Sequence, residues 1–202
     1  LHKNNCIASN WGKVMSNYGL LINGELVKSD MTLDVINPAT EEVFTQVPRA
    51  DEAMLDQAVA GAKVAAAKWA LTDIDERKAL IHKIADAINA NIEPLAKALT
   101  QEQGKPLAAA TMEVQYAEIF CRYFTSLNLE NEVLVDDENQ RVEVQRTPLG
   151  VVAGILPWNF PLLIGIYKIA PSILAGNSII LKPAPTTPVV SVMLGEILKD
   201  VV

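Results

Sequence analysis

The stretch that decides the fold reads Gly150-Val151-Val152-Ala153-Gly154-Ile155-Leu156-Pro157-Trp158-Asn159-Phe160-Pro161. It continues, one helix length later, as Ser178-Ile179-Ile180-Leu181-Lys182-Pro183-Ala184-Pro185. Between Arg146 and Lys182 the only charged residue is Lys168. Length and apolarity alone would allow a membrane span. Pro157, Asn159, Pro161, Pro171, Gly176 and Asn177 instead cut the run into pieces too short to cross a bilayer. It reads as a buried strand from Gly150 to Leu156, a loop, a helix starting at Pro161 and a second buried strand from Ser178 to Leu181. A further helix over 189–202 is expected to run to the last residue, with Thr187 as N-cap and Pro188 in its first position. Two strands apolar throughout, each followed by a helix, predict a parallel sheet covered on both faces.

In such sheets ligands bind at the carboxyl ends of the strands. This puts Pro157–Phe160 and Lys182–Pro185 on the ligand edge, and a dinucleotide is the default ligand for that geometry. The glycine turn that usually receives a pyrophosphate is missing: Gly150 and Gly154 lack the GxGxxG spacing.

Upstream, Asn23-Gly24 between apolar residues signals a hairpin, and Asn37-Pro38 signals a turn. Helical periodicity begins at Asp51, with Met54, Leu55, Ala58, Val59, Ala62, Ala66 and Trp69 at spacings of three and four. A second helix follows Asp73, carrying Leu80, Ile81, Ile84, Ala85, Ile88 and Ile92 on one stripe. Pro94, Gly104 and Pro106 punctuate two more helices, at about 93–103 and 106–127. Residues 132–148 switch to strand character around the acidic turn Asp136-Asp137-Glu138-Asn139.

The chain has 202 residues, half of them hydrophobic, enough for a core without disulfide or metal staples. Its 17 basic and 24 acidic side chains give a net charge of −7, which argues against a nucleic-acid surface. Two cysteines, Cys6 and Cys121, make no framework and fit a reducing compartment. His2 and His82 lie far apart without companion cysteines, so no metal site is expected, and the acidic turn lacks the alternating oxygens of a calcium loop. Residues 1–17 read as a flexible leader without an export signal. The initial Leu1 and the apolar ending Val201-Val202 suggest a fragment.

The run Gly150–Val152 with Leu156-Pro157-Trp158-Asn159-Phe160-Pro161-Leu162 resembles a signature of the NAD(P)-dependent aldehyde dehydrogenases. So do Lys168, Leu174-Ala175-Gly176-Asn177 and Lys182-Pro183-Ala184, in family order and spacing. Upstream, Ile36-Asn37-Pro38-Ala39-Thr40 and Glu102-Gln103-Gly104-Lys105-Pro106 also match. The resemblance covers about residues 20–202.

The resemblance implies an α/β fold: N-terminal helices (18–131), a protruding β-hairpin oligomerisation arm (132–148) and the first βαβα part of a Rossmann-like parallel-sheet cofactor domain (149–202). It implies an N-terminal fragment of an enzyme that oxidises an aldehyde to a carboxylic acid through a thiohemiacetal. The catalytic cysteine, the general-base glutamate and the pyrophosphate loop lie beyond this sequence, so the chain alone should be inactive. Asn159 is the catalytic candidate, an oxyanion donor in the family; residue type alone favours a helix cap, and it is the resemblance that favours catalysis. Ile155, Leu156, Pro157, Trp158, Lys182, Ala184 and Pro185 are the cofactor candidates, with the matching lysine approaching the adenosine ribose. Lys182 could otherwise be a snorkelling surface lysine. Phe160 would by residue type be core, and Lys168 reads equally as solvent-facing.

The cofactor is NAD or NADP. NAD-selective members place a glutamate where this chain has Pro185, so NADP should be accepted. The implied parent is a cytoplasmic homo-oligomer, a dimer or tetramer, without nucleic-acid or membrane partners. Intact Pro-Trp-Asn-Phe-Pro favours the hydrolytic branch over CoA-acylating relatives. A non-catalytic structural or dimerisation protein on the same fold is the alternative from another class.

Overall fold

A computed structural model describes residues 18–202. The leader, with His2 and Cys6, lies outside the described residues.

Two antiparallel hairpins come first. β1 (Leu20–Ile22) pairs with β2 (Glu25–Val27) across Asn23-Gly24, which take φ values of 54° and 79°. Positive φ at both turn positions matches the right-handed twist of the strands and explains the Asn-Gly pair. β3 (Thr32–Asn37) pairs with β4 (Glu42–Pro48), and the Asn37 side chain closes the turn by accepting the Ala39 amide at 2.9 Å.

Four helices follow: α1 (Glu52–Trp69), α2 (Ile74–Ala90), α3 (Ile92–Gln103) and α4 (Leu107–Thr125). Asp51 caps α1 by accepting the Met54 amide at 2.8 Å, and Asp73 caps α2 by accepting that of Asp75 at 2.8 Å. Gly104 ends α3 at φ 83°, and a Cβ there would lie 2.7 Å from the Pro38 side chain. Backbone conformation and space both demand glycine.

The expected α2 stripe is the centre of the core. Ile81, Ile84, Ala85 and Ile88 are fully buried against Leu95 and Leu99 of α3, Ala110, Val114, Ala117 and Cys121 of α4, and Ile166 and Ala170 of α5 (Pro161–Leu174). Burial of each such isoleucine or leucine stabilises the fold by roughly 1.5–3 kcal/mol. α1 behaves differently. Only Ala66 of its apolar series is buried, and Leu55 is half-exposed. This helix is tied to the rest by Trp69, whose indole N–H donates to the Ile173 carbonyl, and by Ser178, whose hydroxyl donates to the Ala62 carbonyl.

β5 (Glu132–Asp136) and β6 (Arg141–Val144) form the expected hairpin, its turn closed by Asp137 accepting the amides of Asn139 and Gln140. A bulge falls between Val133 and Val135, and Val133, Leu134, Val142 and Val144 all stand in solvent.

β7 (Val151–Ile155) and β8 (Ser178–Lys182) pair in parallel, joined by α5. The parallel βαβ arrangement is as expected; burial of both strands is not. Ala153 and Ile155 are exposed, and no residue of β8 is fully buried. Two strands make a sheet with two edges. α1 covers the face bearing Ser178 and α5 the face bearing Gly154, where a Cβ would meet the Lys168 stem at 3.2 Å. At the strand ends Ile155 and Lys182 are exposed, whereas Leu156 is buried beside Gly165 of α5.

The last helix, α6 (Val189–Leu198), also departs from expectation. Thr187 is not its cap; its hydroxyl donates to the Trp158 carbonyl at 3.4 Å, and Pro188 takes the N-cap position. The helix stops at Leu198, whose carbonyl accepts the Val201 and Val202 amides. Among the described residues no helix is long and apolar enough to cross a membrane.

Candidate functional site

The carboxyl edge of the β7–β8 pair carries most of the residues singled out in the sequence. Ile155 and Lys182 are register partners at the strand ends, so their side chains stand on one face. Ile155 is 68% exposed and Lys182 is exposed beside it. Leu156 is buried, and its amide extends the ladder by donating to the Lys182 carbonyl at 3.0 Å. Trp158 is 60% exposed and shares an open cleft of about 500 Å³ with Pro185, Thr186, Thr187 and Gln103. The structure thus brings Ile155 to Lys182, and Trp158 to Pro185. Ala184 is turned inward and buried.

Phe160 is not a core residue. It is 43% exposed, with the Lys105 ammonium 4.3 Å from its ring centroid. Asn159 is exposed and does not cap α5. That role falls to Glu113 of α4, one of whose carboxylate oxygens accepts the Leu162 and Leu163 amides at 3.1 and 3.2 Å. α6 is capped in the same way by Glu102 of α3, which accepts the Val189 amide at 2.6 Å and the Val190 amide at 3.0 Å.

Both carboxylates are buried. Burial pushes the Glu102 carboxyl up to about 8, against the two amide donors, which favour its ionised form. Glu113 is paired with the Lys105 ammonium. Helix N-termini ordinarily offer free amides to a phosphate. Here the first amides of both helices are already used by glutamates.

Glu102, Lys105 and Glu113 were not among the site candidates. Glu113 carried a readable signal, because an acidic residue interrupts the Ala110, Val114, Ala117, Cys121 stripe of α4. Lys168 is half-buried along α5. Cys121 lies in the core, and burial pushes its thiol up to about 12, so it is no nucleophile at neutral pH. His82 is exposed, and among the described residues no group of three His, Cys, Asp or Glu side chains could hold a metal ion.

Residues 26–202 match the aldehyde dehydrogenase family. A 3,6-anhydro-alpha-L-galactose dehydrogenase of Streptomyces coelicolor is 35% identical over 175 residues, covering 86% of this chain and 36% of the relative. The phenylacetaldehyde dehydrogenase of Pseudomonas fluorescens is 37% identical over 191 residues, covering 88% of this chain and 38% of the relative. The crystal structure of NADP-dependent glyceraldehyde-3-phosphate dehydrogenase from Bacillus halodurans, complexed with NADP, matches at a TM-score of 0.86 and 29% identity. That match covers 93% of this chain and 41% of the other. The chain therefore spans less than half the length of these relatives and corresponds to the N-terminal portion of their fold. With the sequence match running from β2 through the β3–β4 and β5–β6 hairpins, the helical core and the βαβα unit, the chain belongs to the aldehyde dehydrogenase family.

Proposed function

We propose that this chain is the N-terminal part of an NAD(P)-dependent enzyme that oxidises an aldehyde to a carboxylic acid, with Asn159 as an oxyanion donor. The observation that carries this reading is the division of labour at the start of α5. Glu113 satisfies the helix amides, which leaves the Asn159 side-chain amide exposed at the strand–helix junction on the ligand edge. When a thiolate adds to an aldehyde, the carbonyl π electrons move onto oxygen, and a fixed neutral N–H donor stabilises the alkoxide without adding charge. The thiolate comes from outside the described residues, since Cys121 is buried and protonated.

Ile155 and Lys182 fit the adenosine half of a dinucleotide: an exposed apolar side chain next to an ammonium at the end of a parallel strand pair. Leu156, Pro157, Trp158, Ala184 and Pro185 border the same edge. Bound NAD(P)+ supplies the hydride acceptor. Pro185 offers no carboxylate to repel a 2′-phosphate, so NADP is accepted alone or beside NAD.

The full-length protein is a cytoplasmic homo-oligomer assembled through the 132–148 hairpin, a reading supported by the exposed Val133, Leu134, Val142 and Val144 and by the scarcity of cysteine.

Single-turnover kinetics of Asn159→Ala in the full-length enzyme tests the central claim. The acylation rate should fall by about 10²–10³-fold with cofactor affinity unchanged. A normal burst rate would leave Asn159 without a catalytic role.

A further inference from the structure

We infer that Lys105 is a positioning residue for Asn159, a proposal that rests on the oxyanion reading above. Lys105 follows the left-handed Gly104 in the tight connection between α3 and α4, and its own amide is fixed by the Gln103 side chain at 3.1 Å. Its side chain is 10% exposed, and its ammonium has three neighbours. It pairs with the Glu113 carboxylate, donates to the Asn159 carbonyl at 2.9 Å and lies over the Phe160 ring. Glu113 in turn holds the first two amides of α5. One lysine–glutamate pair therefore grips the junction on both sides of Asn159, at its carbonyl and at the helix it leads into.

The Asn159 carbonyl belongs to the peptide plane that leaves the Asn159 Cα towards α5. Holding that plane restricts the backbone from which the side-chain amide projects, without Lys105 approaching the substrate. Stability alone does not explain the arrangement. A buried ion pair contributes little net stability over an apolar pair of similar volume, and capping α5 needs only the Glu113 oxygen. The bond from Lys105 to Asn159 is what the lysine adds.

The test uses the full-length enzyme with Lys105→Met combined with Glu113→Gln. The glutamine keeps a carbonyl oxygen for the Leu162 and Leu163 amides, and removing both charges leaves no lone buried ion. The acylation rate should fall by about 10- to 100-fold, the loss expected of a misaimed catalytic group. Cofactor Kd and Tm should stay close to wild type. The same pair of changes introduced into Asn159→Ala should cause no further loss, because Lys105 acts only through that side chain. Lys105→Arg, which keeps charge but presents a planar fork, should give a smaller loss that also vanishes in the Asn159→Ala background and serves if the double variant is unstable. An unchanged acylation rate, or an equal loss with and without Asn159, would overturn the proposal. An Asn159→Ala enzyme with a normal rate would instead remove the oxyanion reading itself and this proposal with it.

Discussion

The carboxylate of Glu102 accepts the backbone N–H of Val189 at 2.6 Å, across 87 residues of chain. Its other oxygen takes Val190, so α6 is capped by a side chain from α3 rather than by anything in its own leading loop. The macrodipole of α6 favours a negative charge at that position, and the surrounding burial opposes it. Thr187, next to the helix start, is thereby free to donate to Trp158 and link the two loops of the ligand edge.

The opposition between burial and capping has a pH signature. The Glu102 carboxyl rises from its ordinary 4.5 to about 8 in the folded chain because burial outweighs the amide donors. A group raised on folding binds its proton more tightly in the native state. Its contribution to stability is complete below the unfolded pKa and is lost as pH climbs through the folded one. Wild type should therefore lose stability relative to Glu102→Gln between about pH 4.5 and 8, with no further relative change above that window. Denaturant unfolding of both proteins across pH 5 to 8.5 measures the difference. A difference that grows in favour of wild type with pH would show that the amide donors dominate.

Much of this architecture was legible in the sequence because local chemistry and tertiary structure agree. Asn23-Gly24, Asp51, Asp73, Gly104 and the α2 isoleucines each act where periodicity and turn chemistry place them. The strand ends were misjudged because apolar residues were equated with burial, whereas Ile155 is held out at a sheet edge. Thr187 was misjudged as a cap because capping rules describe neighbours in sequence, and the real caps come from Glu102 and Glu113 on other helices. Of the candidate site, its place at the carboxyl edge followed from the βαβ pattern. The support beneath Asn159 could not, since it depends on Lys105 meeting a carbonyl 54 residues away.

Cys121 should be chemically silent. It is fully buried between α4 and the rest of the core, with its thiol pushed up to about 12. In a Cys6→Ser chain, Cys121 should resist iodoacetamide under native conditions at pH 8 and react promptly once the chain is unfolded. The same protein should not reduce NAD(P)+ in the presence of simple aldehydes. Rapid native labelling, or turnover, would contradict the assignment of Cys121 to the core.

The β5–β6 hairpin gives a test of assembly. Leu134, 57% exposed, lies within the bulge, and Val144 on the other strand is 43% exposed. Apolar residues held in solvent on a bulged hairpin suit a contact between subunits. In the full-length enzyme, Leu134→Lys with Val144→Lys should convert the oligomer to smaller species by light scattering. Intrinsic subunit stability should change little, since surface substitutions usually stay within about 0.5 kcal/mol. A wild-type monomer at micromolar concentration would eliminate the hairpin as an assembly arm.

On the proposed function, cofactor choice turns on Lys182 and Pro185. Both are exposed at the end of β8, and Pro185 shares the cleft with Trp158. Lys182 supplies positive charge near the proposed ribose position, and the Lys182–Thr187 segment contains no carboxylate. Introducing one by Pro185→Glu should shift selectivity from NADP towards NAD. Two unit charges about 5 Å apart repel by roughly 3 kcal/mol at an effective dielectric of 20. Salt screening at this open edge lowers that figure. The kcat/KM ratio for NADP over NAD should accordingly fall by about 10- to 100-fold, each tenfold step corresponding to about 1.4 kcal/mol. Paired steady-state measurements with one aldehyde, on wild type and Pro185→Glu, decide the matter. If wild type already prefers NAD by more than about a hundredfold, or the substitution leaves the ratio unchanged, position 185 does not select the cofactor.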